Sequence, residues 1–270
     1  MSAPSVTHVS SRDNPVFKAL RSLAHGNTGY RKQGRIWAEG EHLSLAALNR
    51  GMRPIMGVFS ESFWPLAQAL YAQSATVNIV LQDALFDAVS SLASPARMGF
   101  VFELPPPPVI VSQAPSVILD RLQDPGNVGS VLRSASAFGF GQVIALQGTA
   151  ALWSPKVLRA GMGAHWGLQL IEGVGPAELG QLTLPILVTS SHQGDYLHQM
   201  IQKNELPRHC AWAFGHEGQG VCAEIEALAS LHVRIAQPGG EESLNVAAAA
   251  AICLHASATA CSGRIQPQAS

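Results

Sequence analysis

Short apolar runs punctuate the second half of the chain, and each ends in a glycine or a polar pair. SVILDRL (116–122), QVIALQG (142–148), PILVTS (185–190), HCAWAFG (209–215) and LHVRIA (231–236) read as buried strands, while VGSVLRSASAFG (128–139) carries apolar residues at helical spacing. Strands alternating with helices predict an α/β domain built on a parallel sheet with both faces covered. Upstream, NPVFKALRSL (14–23) and HLSLAALNRG (42–51) read as short amphipathic helices, and IMGVFS (55–60), VNIVL (77–81) and MGFVFEL (98–104) as strands, giving a smaller α/β module. Between the two, PPPP at 105–108 removes backbone donors and favours a stiff extended connector. No internal repeat or further low-complexity tract is apparent.

Composition narrows the class. With 270 residues and 47% hydrophobic content, the chain can bury one large or two modest cores. A formal net charge of −1 excludes a uniformly basic nucleic-acid coat, but residues 1–35 hold Arg12, Lys18, Arg21, Arg31, Lys32 and Arg35 against Asp13 alone. Such a local excess attracts phosphate, although a solvated helix face accounts for it on composition alone. Cys210, Cys222, Cys253 and Cys261 form no CxxC pair and match no histidine spacing, so neither a zinc site nor a disulfide framework is expected. The first residues lack a signal-peptide core, and no apolar run reaches membrane-spanning length uninterrupted. A cytoplasmic protein with no membrane partner is expected.

In open parallel sheets, ligands bind beyond the carboxyl ends of the strands, and three glycine-rich polar segments follow predicted strands here. They are LDRLQDPGNVGSVLRSASAFGF (119–140), FGHEGQG (214–220) and QPGGEESLNVAAAAAIC (237–253), and their placement permits one shared pocket. In the first, Pro125 and Gly126 make a turn, Asn127 can cap the following helix, and Arg133 lies about two turns along it. A helix cap and a surface arginine explain that segment in isolation, as a loop carboxylate explains Glu217 and a cap explains Ser243. No GxGxxG follows the first strand of the second domain and no GxxxxGK[ST] is present, which disfavours NAD and ATP. A ligand held by Phe214, Gly215, Ile235 and Leu244 would be read mainly by backbone groups, with apolar side chains around a ring. His165, His192, His198, His209 and His216 fit no metal spacing and are mostly expected on the surface or in loops, with His216 placed to meet substrate. No metal is expected, and Trp153, Trp166 and Trp212 fall in apolar segments that suit a core.

These segments resemble the SPOUT superfamily, in its SpoU or TrmH-like branch of S-adenosylmethionine-dependent RNA ribose 2'-O-methyltransferases. DPGNVGSVLR with Asn127 and Arg133 looks like the family's first motif, FGHEGQG with Glu217 like its second, and IAQPGGEESLNVAAA with Ser243 and Asn245 like its third. SPKVLRAGMGAHWGL (154–168) resembles the connecting segment, and SRDNPVFKALRSL with IWAEGEHL resembles the family's small RNA-binding domain, adding Asn14, Lys18, Arg31, Glu39 and Gly40, with Arg21 in the same basic stretch. The implied organisation is a substrate RNA-binding domain at 1–104, a linker at 105–108, a methyltransferase domain at 109–262 and a tail at 263–270 that looks disordered.

The resemblance further implies a deep trefoil knot, a homodimer, and cofactor contacts at Thr189, Phe214, Gly215, Ile235 and Leu244. Arg133, Asn127, Glu217, Ser243 and Asn245 are the implied catalytic set. The family suggests Arg133 as a base, but a guanidinium stays protonated, so orienting a phosphate or stabilising a developing alkoxide is physically easier. Two positions depart from the pattern: Ala236 stands where proline is common and Gly161 where serine is common. Ribosomal RNA is the preferred substrate. Transfer RNA, or a non-catalytic RNA-binding role, is the alternative, and a transferase acting on small molecules leaves the basic amino-terminal module without a task.

Overall fold

The computed structural model describes residues 4–190, 193–207, 209–239 and 243–261, apart from the side chain of Cys261; His192 and the tail at 263–270 lie outside them. Two compact units divide within the proline run, one comprising Met1–Pro106 with Trp153–Trp166 and the other Pro107–Leu152 with Gly167–Ser270.

The first unit runs β1 (Ser5–Val9), α1 (Pro15–His25), α2 (Gly29–Gln33), β2 (Arg35–Glu39), α3 (Glu41–Leu48), β3 (Met56–Ser60), α4 (Trp64–Leu70), β4 (Val77–Leu81), α5 (Asp83–Val89) and β5 (Met98–Glu103). Its sheet has the order β1-β4-β3-β5-β2, with β1, β4 and β3 parallel and β5 antiparallel to β3 and β2. Alternate residues of each strand point to opposite faces. Trp37, Val58, Ile79 and Val101 therefore meet Phe17, Leu20 and Leu23 of α1, while Phe59, Phe100 and Phe102 meet Leu43 and Ala47 of α3 and Ala67 of α4. Asn14 caps α1, its Oδ1 accepting from the Val16 N–H at 2.8 Å, and Pro15 supplies the fixed φ of the first helical position.

The second unit contains β6 (Ser116–Leu119), α6 (Pro125–Ala137) and β7 (Gln142–Leu146). The chain then enters the first unit as Trp153–Trp166, which holds α7 (Pro155–Gly161), and returns as β8 (Gln169–Val174), β9 (Ile186–Thr189), β10 (Asp195–Tyr196), α8 (Leu197–Gln202), β11 (Ala211–Phe214), α9 (Ala223–Leu228), β12 (Leu231–Arg234) and α10 (Val246–Cys261). All seven strands are parallel in the order β10-β12-β9-β11-β6-β7-β8. Ile118, Ile144, Val188 and Ala213 pack on Ile225 of α9, and α10 packs along α6, with Trp212 donating from Nε1 to the Ser257 hydroxyl of α10 at 2.9 Å. Among the described residues no helix is long and apolar enough to cross a membrane.

Within the first unit, the 153–166 segment joins an aromatic stack: Trp166 lies 4.9 Å from Phe102 and 5.5 Å from Trp153, whose ring is 5.3 Å from His165. His165 is only 1% exposed, which corrects the surface placement expected of it. His198 and His209 are exposed.

Candidate active site

Three loops leave the carboxyl ends of β6, β11 and β12. The loop after β6 reaches α6, where Pro125 takes the first helical turn and Asp124 is the cap, its Oδ1 accepting from the Asn127 N–H at 2.7 Å. Asn127 was expected to cap this helix; with Pro125 in the first turn the cap falls one residue before the proline, so Asn127 sits inside the helix with its carboxamide free for other work. Its Nδ2 donates to Glu217 Oε1 at 3.1 Å, and its Oδ1 accepts from Asn245 Nδ2 at 3.0 Å. Asn245 in turn caps α10, its Oδ1 accepting from the amides of Ala247 at 2.9 Å and Ala248 at 3.3 Å. One residue from each loop is thus joined in a single hydrogen-bonded chain.

The middle loop is a tight turn. His216 and Gly220 exchange both backbone hydrogen bonds, at 3.0 and 2.8 Å, and the Gly218 amide donates to His216 Nδ1 at 3.1 Å. A side chain at Gly215 would place its Cβ 2.1 Å from the Gly220 carbonyl carbon, so the loop closes on itself only with glycine there. Below the turn lies a group that the sequence reading passed over. The Asp120 carboxylate, with its side chain 2% exposed, accepts from Arg121 Nε at 2.9 Å, Arg121 Nη2 at 3.2 Å and the Cys222 amide at 2.6 Å. Burial pushes the Cys222 thiol pKa up, so it stays protonated and unreactive at neutral pH. The available signal was an acid and an arginine side by side at the end of a predicted strand.

The three loops enclose a cleft of about 410 Å³ in the second unit. Thr189, Gly215, Glu217, Ile235, Ser243 and Leu244 line it, together with His216 and Glu226. Phe214 does not: its ring is buried in the strand and its carbonyl accepts from the Asp120 amide at 2.9 Å. Arg133 is exposed on α6 outside the lining, and among the described residues it has no hydrogen bond or ion pair. Asn14, Lys18, Arg21 and Arg31 belong to the first unit, where spacing of four and three residues sets Lys18 and Arg21 beneath Asn14 on the solvent face of α1. Lys18 is paired with the exposed Asp13 at 3.1 Å, and the Arg31 guanidinium lies 5.3 Å from the Tyr30 ring.

The donor set fits S-adenosylmethionine. Val233, Ile235 and the 39% exposed Leu244 offer apolar surface for a ring, Thr189 and Ser190 offer hydroxyls, and among the described residues the buried Gln237 Oε1 has no hydrogen-bond partner. Among the described lining residues the charged groups are Glu217 and Glu226, with no lysine or arginine. That polarity suits a sulfonium cation and opposes a nucleoside di- or triphosphate. Among the described residues no three His, Cys, Asp or Glu side chains cluster as metal ligands would.

Residues 114–255 match the SpoU rRNA Methylase family. Over 267 residues the chain is 32% identical to a tRNA/rRNA methyltransferase of Synechocystis sp. described as uncharacterized, covering 93% of each chain. It is 29% identical to the 23S rRNA (guanosine(2553)-2'-O)-methyltransferase RlmP of Bacillus subtilis, over 92% of this chain and 97% of that one. Among solved structures, one described as an RNA 2'-O ribose methyltransferase superposes with a TM-score of 0.76 at 26% identity, over 94% of this chain and 99% of the other.

Proposed function

Because the chain belongs to the SpoU rRNA Methylase family, we propose that it is an S-adenosylmethionine-dependent enzyme that methylates a ribose 2'-hydroxyl in ribosomal RNA. The observation that carries this reading is the Asn245–Asn127–Glu217 chain, which ties the three family segments together beside an acid-lined cleft. S-adenosylmethionine supplies an electrophilic methyl group on a sulfonium. The protein's task is to hold the ribose oxygen in line with that methyl and to manage the hydroxyl proton; placement alone supplies roughly 7–11 kcal/mol in the best intramolecular cases.

Asn127, Asn245 and Glu217 fix the loops, and Ser243, exposed at the cleft, is placed to meet the ribose. Arg133, exposed on α6 and without a hydrogen bond or ion pair among the described residues, serves to orient a phosphate and stabilise the developing alkoxide. Lys18, Arg21 and Arg31 supply sequence-independent attraction for the RNA backbone, while Asn14 Oδ1 is already engaged in capping α1. Ribosomal RNA is favoured over transfer RNA because RlmP, matched over nearly its whole length, is named for 23S rRNA. The same reading takes the protein to be cytoplasmic, supported by the match to a bacterial 23S rRNA methyltransferase.

The same reading carries a trefoil knot and a homodimer. For the knot, the support is membership of the SpoU family, since a non-sequential strand order is shared by unknotted doubly wound sheets. For the dimer, it is an apolar groove on the second unit lined by Phe138, Leu197, Ile201, Ala251 and Ile252, with Ile201 40% and Ile252 42% exposed.

The decisive test combines calorimetry with methyl incorporation into ribosomal RNA. The wild type is expected to bind S-adenosylmethionine and yield a 2'-O-methyl nucleotide. Arg133→Ala is expected to keep cofactor affinity and lose on the order of 10²–10³ in rate. Incorporation near the wild-type rate in a folded Arg133→Ala protein would refute the role given to Arg133.

A further inference from the structure

We infer that Arg121 is a positioning residue that sets the shape of the cofactor cleft by clamping the 215–221 loop from outside; this rests on the function proposed above. The loop's internal hydrogen bonds fix its turn, but they leave its orientation on the sheet open. Two contacts from the segment after β6 set that orientation. One is the exposed bond from Asn127 to Glu217. The other is the Arg121 guanidinium, which grips Asp120 through Nε and Nη2 while Nη1 donates to Gln219 Oε1 at 2.9 Å and Nη2 reaches the Gly220 carbonyl at 3.5 Å. Asp120 meanwhile holds the loop's exit through the Cys222 amide at 2.6 Å. One ion pair therefore restrains both the turn and its return to α9.

The backbone argues for a side-chain role. Arg121 has φ +57, a left-handed conformation that glycine adopts freely and other residues seldom do. The Arg121 amide is held there by Thr149 Oγ1 at 3.1 Å, whose hydroxyl donates to the Leu119 carbonyl at 3.0 Å. A position that suits glycine yet keeps a long cation needs something from the cation. Only a guanidinium fork can satisfy a carboxylate with two donors and reach two further acceptors; a lysine ammonium can satisfy part of this set. The contact with Asp120 also pushes the Arg121 pKa up, so the clamp stays charged at any working pH. The loop it holds supplies Gly215, Glu217 and Gly220 to the cleft, and so a change in its tilt changes the cofactor's seat before it changes anything the RNA touches.

The test compares wild type with Arg121→Gly and Arg121→Lys, using S-adenosylhomocysteine as the calorimetric probe, steady-state kinetics and thermal unfolding. Arg121→Gly is expected to weaken probe binding on the order of tenfold and raise KM for S-adenosylmethionine by a similar factor, with KM for RNA unchanged. Arg121→Lys is expected to recover part of the loss. Should Arg121→Gly fail to fold because Asp120 is left buried without its cation, two further variants carry the comparison. These are Asp120→Asn with Arg121→Gly, which removes both charges, and Gln219→Ala, which cuts the shorter of the two loop contacts and leaves the ion pair intact. Wild-type probe affinity across the folded variants, or loss of RNA affinity in step with cofactor affinity, overturns the assignment. A wild-type protein that binds no S-adenosylhomocysteine overturns the proposed function itself.

Discussion

At Gly161 a side chain would need space that His165 already fills: a Cβ there would lie 2.4 Å from His165 Cε1 and 2.8 Å from Nδ1. The departure from serine at this position is therefore matched by an imidazole four residues on, packed against Trp153. Gly161→Ser is expected to cost about 1–3 kcal/mol through overpacking, and to cost much less in a His165→Ala background, as a double-mutant cycle in denaturant would show. Additive costs would disprove the pairing. Glu39 and Gly40 also gain local explanations. The Glu39 carboxylate accepts from the Ser90 hydroxyl and from the Ser91 amide at 3.2 Å, and Gly40 has φ +94. Both therefore have local structural reasons within the first unit, in the segment whose sequence resembles the family's small RNA-binding domain. Motif matching found Asn127, Glu217 and Asn245, but their bonds were invisible because the partners lie 90 and 118 positions apart. Arg121 was hidden for another reason, since nothing in a sequence marks a non-glycine residue as left-handed.

Among the elements, α10 is the one whose surface asks for a partner. It is apolar around most of its circumference and packs on α6 and β11, yet it leaves Ile252 exposed at the groove it shares with Ile201 of α8. A helix apolar on every side is normally covered on every side. In the homodimer proposed above, a second copy meeting the same face across a twofold axis would cover it self-complementarily. Ile252→Glu is expected to halve the mass seen in sedimentation while leaving the monomer folded; a wild-type protein that sediments as a monomer at micromolar concentration rules the dimer out. Strands β3, β4, β5, β6, β7, β9, β11 and β12 were legible because each is a short apolar run buried on at least one face. By contrast, β1 was not, since four of its five residues are exposed at a sheet edge and only pairing with β4 keeps it extended. β10 is two residues long and offers no pattern to read.

At the scale of the whole chain, the compact units and the continuous segments do not coincide. A cut in the proline run separates residues 1–104 from 109 onward, yet the first unit also holds Trp153–Trp166, inserted between β7 and β8 in sequence. That segment contributes Trp153, His165 and Trp166 to a stack ending on Phe102, and Leu158, nearly fully buried, from α7. Burying one large side chain is worth about 1.5–3 kcal/mol, so losing several removes a large part of the 5–15 kcal/mol typical of a domain. A fragment ending at Pro106 is therefore expected to melt broadly and bind a hydrophobic dye, and a peptide spanning 150–168 added in trans is expected to sharpen the transition and displace the dye. A fragment that instead unfolds cooperatively at the temperature of the intact first unit would mean that the inserted segment contributes little to that core. Intrinsic fluorescence resolves the two outcomes, because Trp166 and Trp153 come only from the added peptide while Trp37 and Trp64 report the fragment.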